Sequence, residues 1–173
     1  MAVERTVPVL QIVGYQNSGK TTLTEKLIKA LTNEGVKVGA IKHHGHGGYP
    51  EVPLQKDSER HRQAGAIVSV VEGDGLLSLS AKDDWSLEKI IRLYTCFEAE
   101  VIIVEGYKKE RYPKVVLLRS EEDASLLESV ENVIAVITWN KALKTGQEHY
   151  QVFHIAEDEK YINWFVKRMR DTK

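Results

Sequence analysis

Two glycines and a lysine near the start of the chain have the spacing of a phosphate-binding loop. Gly14 and Gly19 stand five positions apart, and Lys20 and Thr21 follow directly. Glycines let a backbone turn tightly and approach an anion, so that successive amides point at one phosphate. A lysine here reaches the outer phosphates of a nucleotide, and the next hydroxyl can ligate Mg²⁺. The sequence therefore predicts a nucleotide site formed by Gly14, Gln16, Asn17, Ser18, Gly19, Lys20, Thr21 and Thr22.

The segments on either side of this loop have the pattern that such a site requires. Residues 9–13 form a short apolar run, typical of a buried strand. From Lys20 to about Asn33, apolar residues recur at helical spacing, and Gly35 stands where a helix would end. Residues 36–41 predict a second strand. Strand, helix and strand of this length indicate one parallel βαβ unit, and the phosphate loop is its first turn.

A magnesium ion bound beside the phosphates needs further oxygen ligands, commonly one or two carboxylates. Glu105 ends the aliphatic run 101–104, and ligands gather at the carboxyl ends of parallel strands. Asp57 follows the glycine-rich and proline-rich segment 43–56, which predicts a long loop, although Asp57 could also cap the short helix predicted there. We therefore predict Thr21, Asp57 and Glu105 as metal ligands.

Basic and histidine side chains follow two other predicted strands at the same edge of the sheet. Lys42 and His43 end the second strand, and Lys108 follows Glu105 closely, so these three are predicted to contact a phosphate or a second anionic ligand. Three further cations in the segment 106–114 are typical of a solvated surface: Lys109, Arg111 and Lys114. The cluster of His43, His44 and His46 leaves a transition-metal site open, but its glycine spacing and the lack of a nearby cysteine do not favour one.

Length and composition limit the class of protein. The 173 residues predict one domain spanning 1–173, and a net charge of -1 does not favour a sequence-independent grip on nucleic acid. Cys96 is the only cysteine, so no internal disulfide can form and a reducing cytoplasm is expected. No apolar stretch has the length of a signal peptide or a membrane span. We expect a cytoplasmic protein that binds neither nucleic acid nor membrane.

The rest of the chain predicts an α/β fold. Apolar runs on either side of Glu72-Gly73-Asp74-Gly75 indicate a β-hairpin. A capped helix is predicted from Ser86, and further strands at 114–118, 133–138 and 151–155 alternate with a short helix near 123–129 and a last helix from about Asp158. Strands without polar alternation that interleave with helices predict a mostly parallel sheet with helices on both faces, like that of P-loop nucleotide-binding proteins. The hairpin would extend from this sheet.

The identity of the base is left open by the residues alone. Many guanine-specific proteins carry Asn-Lys-x-Asp after the corresponding strand, but here Asn140 and Lys141 are followed by Leu143 in the place of the aspartate. No glutamine or arginine can be assigned to hydrolysis, so efficient GTPase activity is not predicted. A small-molecule kinase and a metallochaperone GTPase are alternatives that use the same loop.

Four segments together resemble the MobB family of molybdopterin-guanine dinucleotide biosynthesis adaptor proteins over nearly the full length. They are "GYQNSGKTTL" (14–23), "GAIKHHGHG" (39–47), "KDSERHRQAGA" (56–66) and "VIIVEGYKKERYPKVVLLR" (101–119). The resemblance implies a P-loop fold, a homodimer, and binding of GTP with Mg²⁺, with weak GTPase activity at most. It also implies a helper role beside the guanylyltransferase that attaches guanosine monophosphate to molybdopterin, with molybdopterin itself as a possible second ligand.

Overall fold

A six-stranded parallel sheet forms the centre of the molecule. The computed structural model describes residues 7–45, 56–141 and 149–171. The strands stand in the order β2-β5-β1-β6-β7-β8, so the first strand is central. Each pairing within this sheet is parallel. The strands are β1 (Val9–Gly14), β2 (Val38–Lys42), β5 (Val101–Glu105), β6 (Lys114–Leu118), β7 (Val133–Thr138) and β8 (Gln151–His154), and β3 and β4 form a separate hairpin.

Helices cover both faces of the sheet, as the sequence predicts. On one face, α1 (Lys20–Asn33) and α5 (Asp158–Asp171) bury their apolar sides against alternate strand residues such as Leu10 and Ile12. On the other face, α3 (Leu87–Thr95) packs near β2 and β5, and a 3₁₀ turn (Glu121–Ala124) with α4 (Ser125–Glu128) packs near β6 and β7. Because side chains alternate along a strand, each strand supplies both cores.

The connection from β5 to β6 crosses β1 without a helix. Because β1 lies between β5 and β6, residues 106–113 must pass over it to return to the amino end of β6. We call these residues the crossover segment. It covers the face of β1 that carries Val9, Gln11 and Val13, between the two apolar clusters of that face. A helix satisfies its own backbone groups, but a crossover without one needs partners from the strands beneath it.

The predicted hairpin is present, and one of its faces is apolar and exposed. β3 (Val68–Gly73) pairs antiparallel with β4 (Leu76–Ala81) around Asp74 and Gly75, both in the left-handed conformation. Ser69 on β3 is buried, on the side of the strand that packs toward α2 (Lys56–Gln63). On the other face, Val70 stands opposite Leu79 and both are about half exposed.

The element bounds agree closely with those predicted. β6, β7 and α1 have the predicted bounds, whereas β2 begins two residues later than predicted, and the predicted helix near 123–129 is divided into a 3₁₀ turn and one α-helical turn. Most of the loop predicted at 43–56 lies outside the described residues, as do His46 and Leu143. Within the described ranges, none of the helices combines the length and the apolarity that spanning a bilayer would require.

Candidate functional site

The phosphate loop connects the end of β1 to the start of α1 and leaves the first amides of that helix available. Gly19 is the N-cap residue and has a left-handed backbone (φ 92°), which glycine adopts at little cost. It offers no side chain to the free amides of the first turn, and these amides have no partner inside the helix. Since the same turn carries the positive end of the helix dipole, the arrangement suits an anion.

A buried hydroxyl in this loop also lacks a partner. Among the described residues, Ser18 Oγ is fully buried and forms no hydrogen bond. The loop folds tightly around it, because a Cβ atom placed on Gly14 would lie 2.4 Å from Ser18 Oγ and 3.0 Å from the Leu117 carbonyl oxygen. Gly14 is therefore required by close approach of the backbone. An unsatisfied buried hydroxyl costs free energy, which a ligand contact can recover.

The Lys20 ammonium group lies back on its own loop. Lys20 Nζ donates to the Tyr15 carbonyl oxygen at 2.7 Å. Burial lowers the pKa of Lys20, the Glu105 carboxylate raises it, and the nearby Lys42 ammonium lowers it further. An incoming phosphate would supply the negative charge that partly buried Lys20 lacks.

Thr21, Glu105 and Lys42 meet beside the loop. The Thr21 hydroxyl lies 3.0 and 3.1 Å from the two Glu105 carboxylate oxygens. Lys42 Nζ lies 3.4 Å from Glu105 Oε1 and 3.4 Å from Thr21 Oγ1. The structure thus brings together two of the three predicted metal ligands, from α1 and from the end of β5. A hydroxyl and a carboxylate oxygen are ligands suited to Mg²⁺, which usually keeps several waters and binds phosphate as well.

These groups open into one large cavity of about 970 Å³. The wall opposite the phosphate loop consists of Lys42, His43, His44 and the start of the crossover segment, including Tyr107 and Lys108. The His43 ring lies 4.2 Å from the Tyr107 ring, and Lys108 Nζ lies 5.8 Å from the centre of the Tyr15 ring. The cavity is lined by every residue predicted to bind nucleotide or a second ligand: Gly14, Gln16, Asn17, Ser18, Gly19, Lys20, Thr21, Thr22, Lys42, His43 and Lys108.

Asp57, the third predicted metal ligand, is not among the residues that line this cavity. It lies in the first turn of α2 with an 83% exposed side chain, and its Oδ1 is 3.6 Å from Arg60 Nη1. Its role as a ligand stays a prediction. Within residues 7–45, 56–141 and 149–171, no three His, Cys, Asp or Glu side chains gather as a metal site would require. Because His46 lies outside the described residues, the metallochaperone alternative stays open.

Gln11 and Lys114 hold the crossover segment in place, a role that was not predicted from the sequence. Gln11 Nε2 donates to the carbonyl oxygens of Gly106 (3.1 Å) and Tyr107 (2.7 Å). Lys114 Nζ in turn donates to Gln11 Oε1 at 2.7 Å, to the Tyr112 carbonyl oxygen at 3.1 Å, and to the Glu110 carbonyl oxygen. These hydrogen bonds satisfy backbone carbonyl groups that would be unpaired in a crossover segment without a helix. They also position Tyr107 and its neighbours on the cavity wall.

The surface position expected for Lys114 is wrong. Lys114 is 0% exposed and is the first residue of β6, paired with Gln11 of β1. Burial lowers the pKa of Lys114, while Glu110 and Glu131 raise it. The signal in the sequence was a polar residue inside the apolar run 9–13, since a buried Gln11 requires partners.

Comparisons with known proteins agree with this architecture. The family model described as MobB, molybdopterin guanine dinucleotide synthesis protein B, matches residues 9–139. A Bacillus subtilis protein described as a probable molybdopterin-guanine dinucleotide biosynthesis adapter protein is 42% identical over 171 residues, which is 98% of each chain. The crystal structure of Bacillus subtilis MobB has a TM-score of 0.79 at 40% identity, covering 92% of this chain and 96% of that one. A MobB homolog from Bacillus stearothermophilus gives 0.77 at 41% identity, covering 94% and 98%.

Proposed function

Because the chain belongs to the MobB family of molybdopterin-guanine dinucleotide biosynthesis adapter proteins, we propose that it binds GTP with Mg²⁺ and assists a guanylyltransferase. The proposal of nucleotide binding rests on the geometry of the phosphate loop. Its first-turn amides have no partner in the helix, and Gly19 leaves them uncapped. Ser18 Oγ lies buried beside them without a partner among the described residues. A phosphate group would satisfy these donors and pair with Lys20.

The residues beside the loop fit a magnesium ion. Thr21 Oγ1 and the Glu105 carboxylate are already within 3.1 Å of each other, so one cation could contact both oxygens with little movement. Lys42, which now lies 3.4 Å from Glu105, would then be released toward the phosphates. The ion would neutralise charge on the outer phosphates. The family resemblance implies weak hydrolysis at most, and we propose the same for this chain.

Calorimetric titration tests the nucleotide proposal. GTP and ATP are titrated into the protein with Mg²⁺ and again with the metal chelated. We expect GTP to bind more tightly with Mg²⁺, and we expect Glu105→Gln to lose most of that metal-dependent gain. Glu110→Gln, which removes a carboxylate elsewhere on the cavity wall, is the matched control. Equal affinity for ATP and GTP would remove the base assignment, and no binding of either would overturn the proposal.

We propose a homodimer formed through the exposed face of the hairpin. The face that does not carry Ser69 presents Val68, Val70, Leu77 and Leu79, all 44–51% exposed. A two-stranded sheet is marginally stable by itself, and burying its exposed apolar side chains against another surface would stabilise it. The unpaired edges of the hairpin also offer backbone hydrogen-bonding groups to a second copy of the chain. The occupant proposed is therefore a second hairpin.

Sedimentation equilibrium tests the dimer. Val70→Asp with Leu79→Asp places two charges in the proposed interface, and we expect the protein to sediment as a monomer. Ser78→Asp adds a charge to the opposite face of the same strand and should leave the dimer intact. If the double variant stays dimeric, the interface lies elsewhere.

The partner in the pathway is proposed to be the guanylyltransferase, with the cytoplasm as the place of action. Lys42, His43 and Lys108 on the wall opposite the phosphate loop would contact a second anionic ligand, for which molybdopterin is the proposed identity. Mixing the purified protein with the transferase and molybdopterin tests this. We expect faster formation of the guanine dinucleotide in the presence of GTP. A rate that is the same without the protein would contradict the adapter role.

A further inference from the structure

A second, smaller pocket lies on the other side of the phosphate loop. Its volume is about 330 Å³, at the lower end of the roughly 300–1,000 Å³ of small-molecule sites. We call it the side pocket, and it is lined by Tyr15, Gln16, Arg119, Ser120, Asp123 and Trp139. Tyr15 and Gln16 also line the large cavity. A ligand held by its phosphates at the loop can therefore pass over these two residues and enter the side pocket.

The topology places this pocket at the sheet edge where ligands bind. Arg119 and Ser120 directly follow β6, and Trp139 directly follows β7. These two strands continue the sheet from β1 on the side opposite β5, so the phosphate loop lies between the two cavities. Ligands of parallel α/β sheets bind at the carboxyl ends of the strands. The side pocket is in the right place for the end of a nucleotide that is remote from its phosphates.

The backbone around the side pocket is fixed by hydrogen bonds. Trp139 N–H donates to the Leu118 carbonyl oxygen at 3.0 Å, which joins the ends of β7 and β6. Arg119 N–H donates to Asp123 Oδ2 at 2.8 Å, and Asp123 N–H donates to the Ser120 carbonyl oxygen at 3.3 Å. The Asp123 carboxylate is thus held by the backbone of Arg119 at the end of β6. Its position is therefore set by the protein, and the backbone that carries Trp139 is fixed.

The chemistry of the lining matches a purine base with donors on its edge. Trp139 is 50% exposed and offers a flat aromatic face on which any base can stack. A carboxylate accepts only, and it has about four lone-pair sites, so Asp123 can accept further N–H groups beside that of Arg119. Guanine presents adjacent N–H donors at N1 and N2, whereas adenine presents a ring acceptor at N1. A carboxylate therefore favours guanine and opposes adenine.

We propose that the side pocket is the nucleobase site and that Asp123 supplies the carboxylate that selects guanine, with Trp139 as the stacking surface. The inference rests on the proposed GTP binding and names the residues that give it specificity. It also accounts for the incomplete Asn-Lys-x-Asp sequence: Leu143 has no carboxylate, and a different segment of the chain provides one.

The test exchanges the hydrogen-bonding character of one side chain. Asp123→Asn keeps an oxygen that can accept the Arg119 N–H, and it adds a donor in the place of one acceptor. We expect GTP affinity to fall about 10- to 100-fold, because one charge-assisted hydrogen bond to guanine is lost and the other is replaced by a neutral one. Xanthosine triphosphate, which has an oxygen in place of the 2-amino group, should gain affinity by about 10-fold or more. Glu122→Gln removes the neighbouring charge, outside the pocket, and should change neither affinity.

A second variant reports on stacking. Trp139→Leu should weaken GTP and ATP alike by about 10-fold or more, since stacking does not distinguish the bases. Neither variant should change the binding of inorganic tripolyphosphate, which occupies the loop alone. Thermal melts show whether each variant is folded.

The outcomes separate this inference from the proposed function. If wild-type protein binds GTP in a Lys20-dependent way but Asp123→Asn leaves the preference of GTP over xanthosine triphosphate unchanged, the side pocket is not the site that selects guanine. Equal weakening of tripolyphosphate by Trp139→Leu would likewise overturn it. If wild-type protein binds no nucleotide and no tripolyphosphate, the proposed function itself fails.

Discussion

Lys20 and Lys114 are both lysines with a pKa lowered first by burial, but their surroundings differ. Lys114 lies in the crossover region with no exposed surface and three protein oxygens around its ammonium group. Lys20 lies in the phosphate loop, donates to a single carbonyl oxygen of its own loop, and faces an open cavity. Lys114 completes a hydrogen-bond network within the protein, whereas Lys20 lines an open cavity, where we propose that it contacts a ligand.

The difference shows how one edge of a parallel sheet can contain both a stable segment and a segment with groups free to bind a ligand. The side chains of Gln11 and Lys114 donate to the carbonyl oxygens of Gly106, Tyr107, Glu110 and Tyr112, so protein groups hold the crossover segment in shape. The phosphate loop keeps amides and a buried hydroxyl without protein partners among the described residues. The hydrogen bonds of the crossover segment contribute stability, and the unsatisfied donors of the phosphate loop cost some of it. This is the usual relation between a scaffold and a binding site.

The largest effect is expected for Lys20→Ala, measured as nucleotide affinity by calorimetry. Two charge-assisted hydrogen bonds of about 2 kcal/mol each would be lost, which lowers affinity about 1,000-fold. The free energy of unfolding without ligand should change by less than about 1 kcal/mol, since Lys20 makes one hydrogen bond to the protein. Lys26→Ala removes the same charge from α1 away from the loop and should leave affinity unchanged. If nucleotide stabilises the Lys20 variant as much as wild type, the contrast between the two lysines is wrong.

Lys114→Met should have the opposite pattern, with a loss of stability of about 3 kcal/mol in urea unfolding. Methionine fills much of the volume, but Gln11 Oε1 and two carbonyl oxygens lose their buried donor at about 1 kcal/mol or more each. The folded variant should still bind tripolyphosphate, because the loop is intact. A variant as stable as wild type would show that the network contributes little.

Gly106→Ala tests the contact between the crossover segment and His43 at the end of β2, with an expected loss of about 1–2 kcal/mol in unfolding free energy. Gly106 has a left-handed backbone (φ 96°), and an added Cβ would lie 3.0 Å from His43 Cβ. Gly75→Ala in the hairpin turn is the matched control. Its φ is 78° and nothing lies within 4 Å of the added Cβ, so it has the backbone cost alone. Equal losses in the two variants would mean that the His43 contact is relaxed without cost.

The smallest effect concerns pH, and its sign follows from the lowered pKa of Lys114. Unfolded lysine keeps its proton up to about pH 10.5, whereas folded Lys114 releases it at a lower pH, so the unfolded state binds more protons between these values. The stability of wild type relative to Lys114→Met should therefore rise as pH increases through this interval. Urea unfolding of both proteins from about pH 8 upward measures the difference. A difference that falls with pH would contradict the assigned shift.

Much of the fold and the geometry of the predicted phosphate loop followed from local sequence pattern. Strand β1, the glycines and α1 are contiguous, and their spacing is characteristic, so a few neighbouring residues predict both structure and chemistry. Glu105 lies beside Thr21, as expected for the end of a strand in a parallel sheet, and its role as a metal ligand stays a prediction. The position of Lys114 was predicted wrongly because its sequence neighbours are polar. Nothing local shows that a crossover segment returns over β1 and buries it.

The sequence by itself determined the α/β class, the phosphate loop and the family resemblance, since these depend on residues that are near one another in the chain. The tertiary structure decided which distant groups meet: Gln11 with Lys114, Thr21 with Glu105, and Asp123 with Trp139 around the side pocket. The physical reason is strand order. Because β1 lies between β5 and β6, residues about a hundred positions apart become neighbours, and their hydrogen bonds depend on that order.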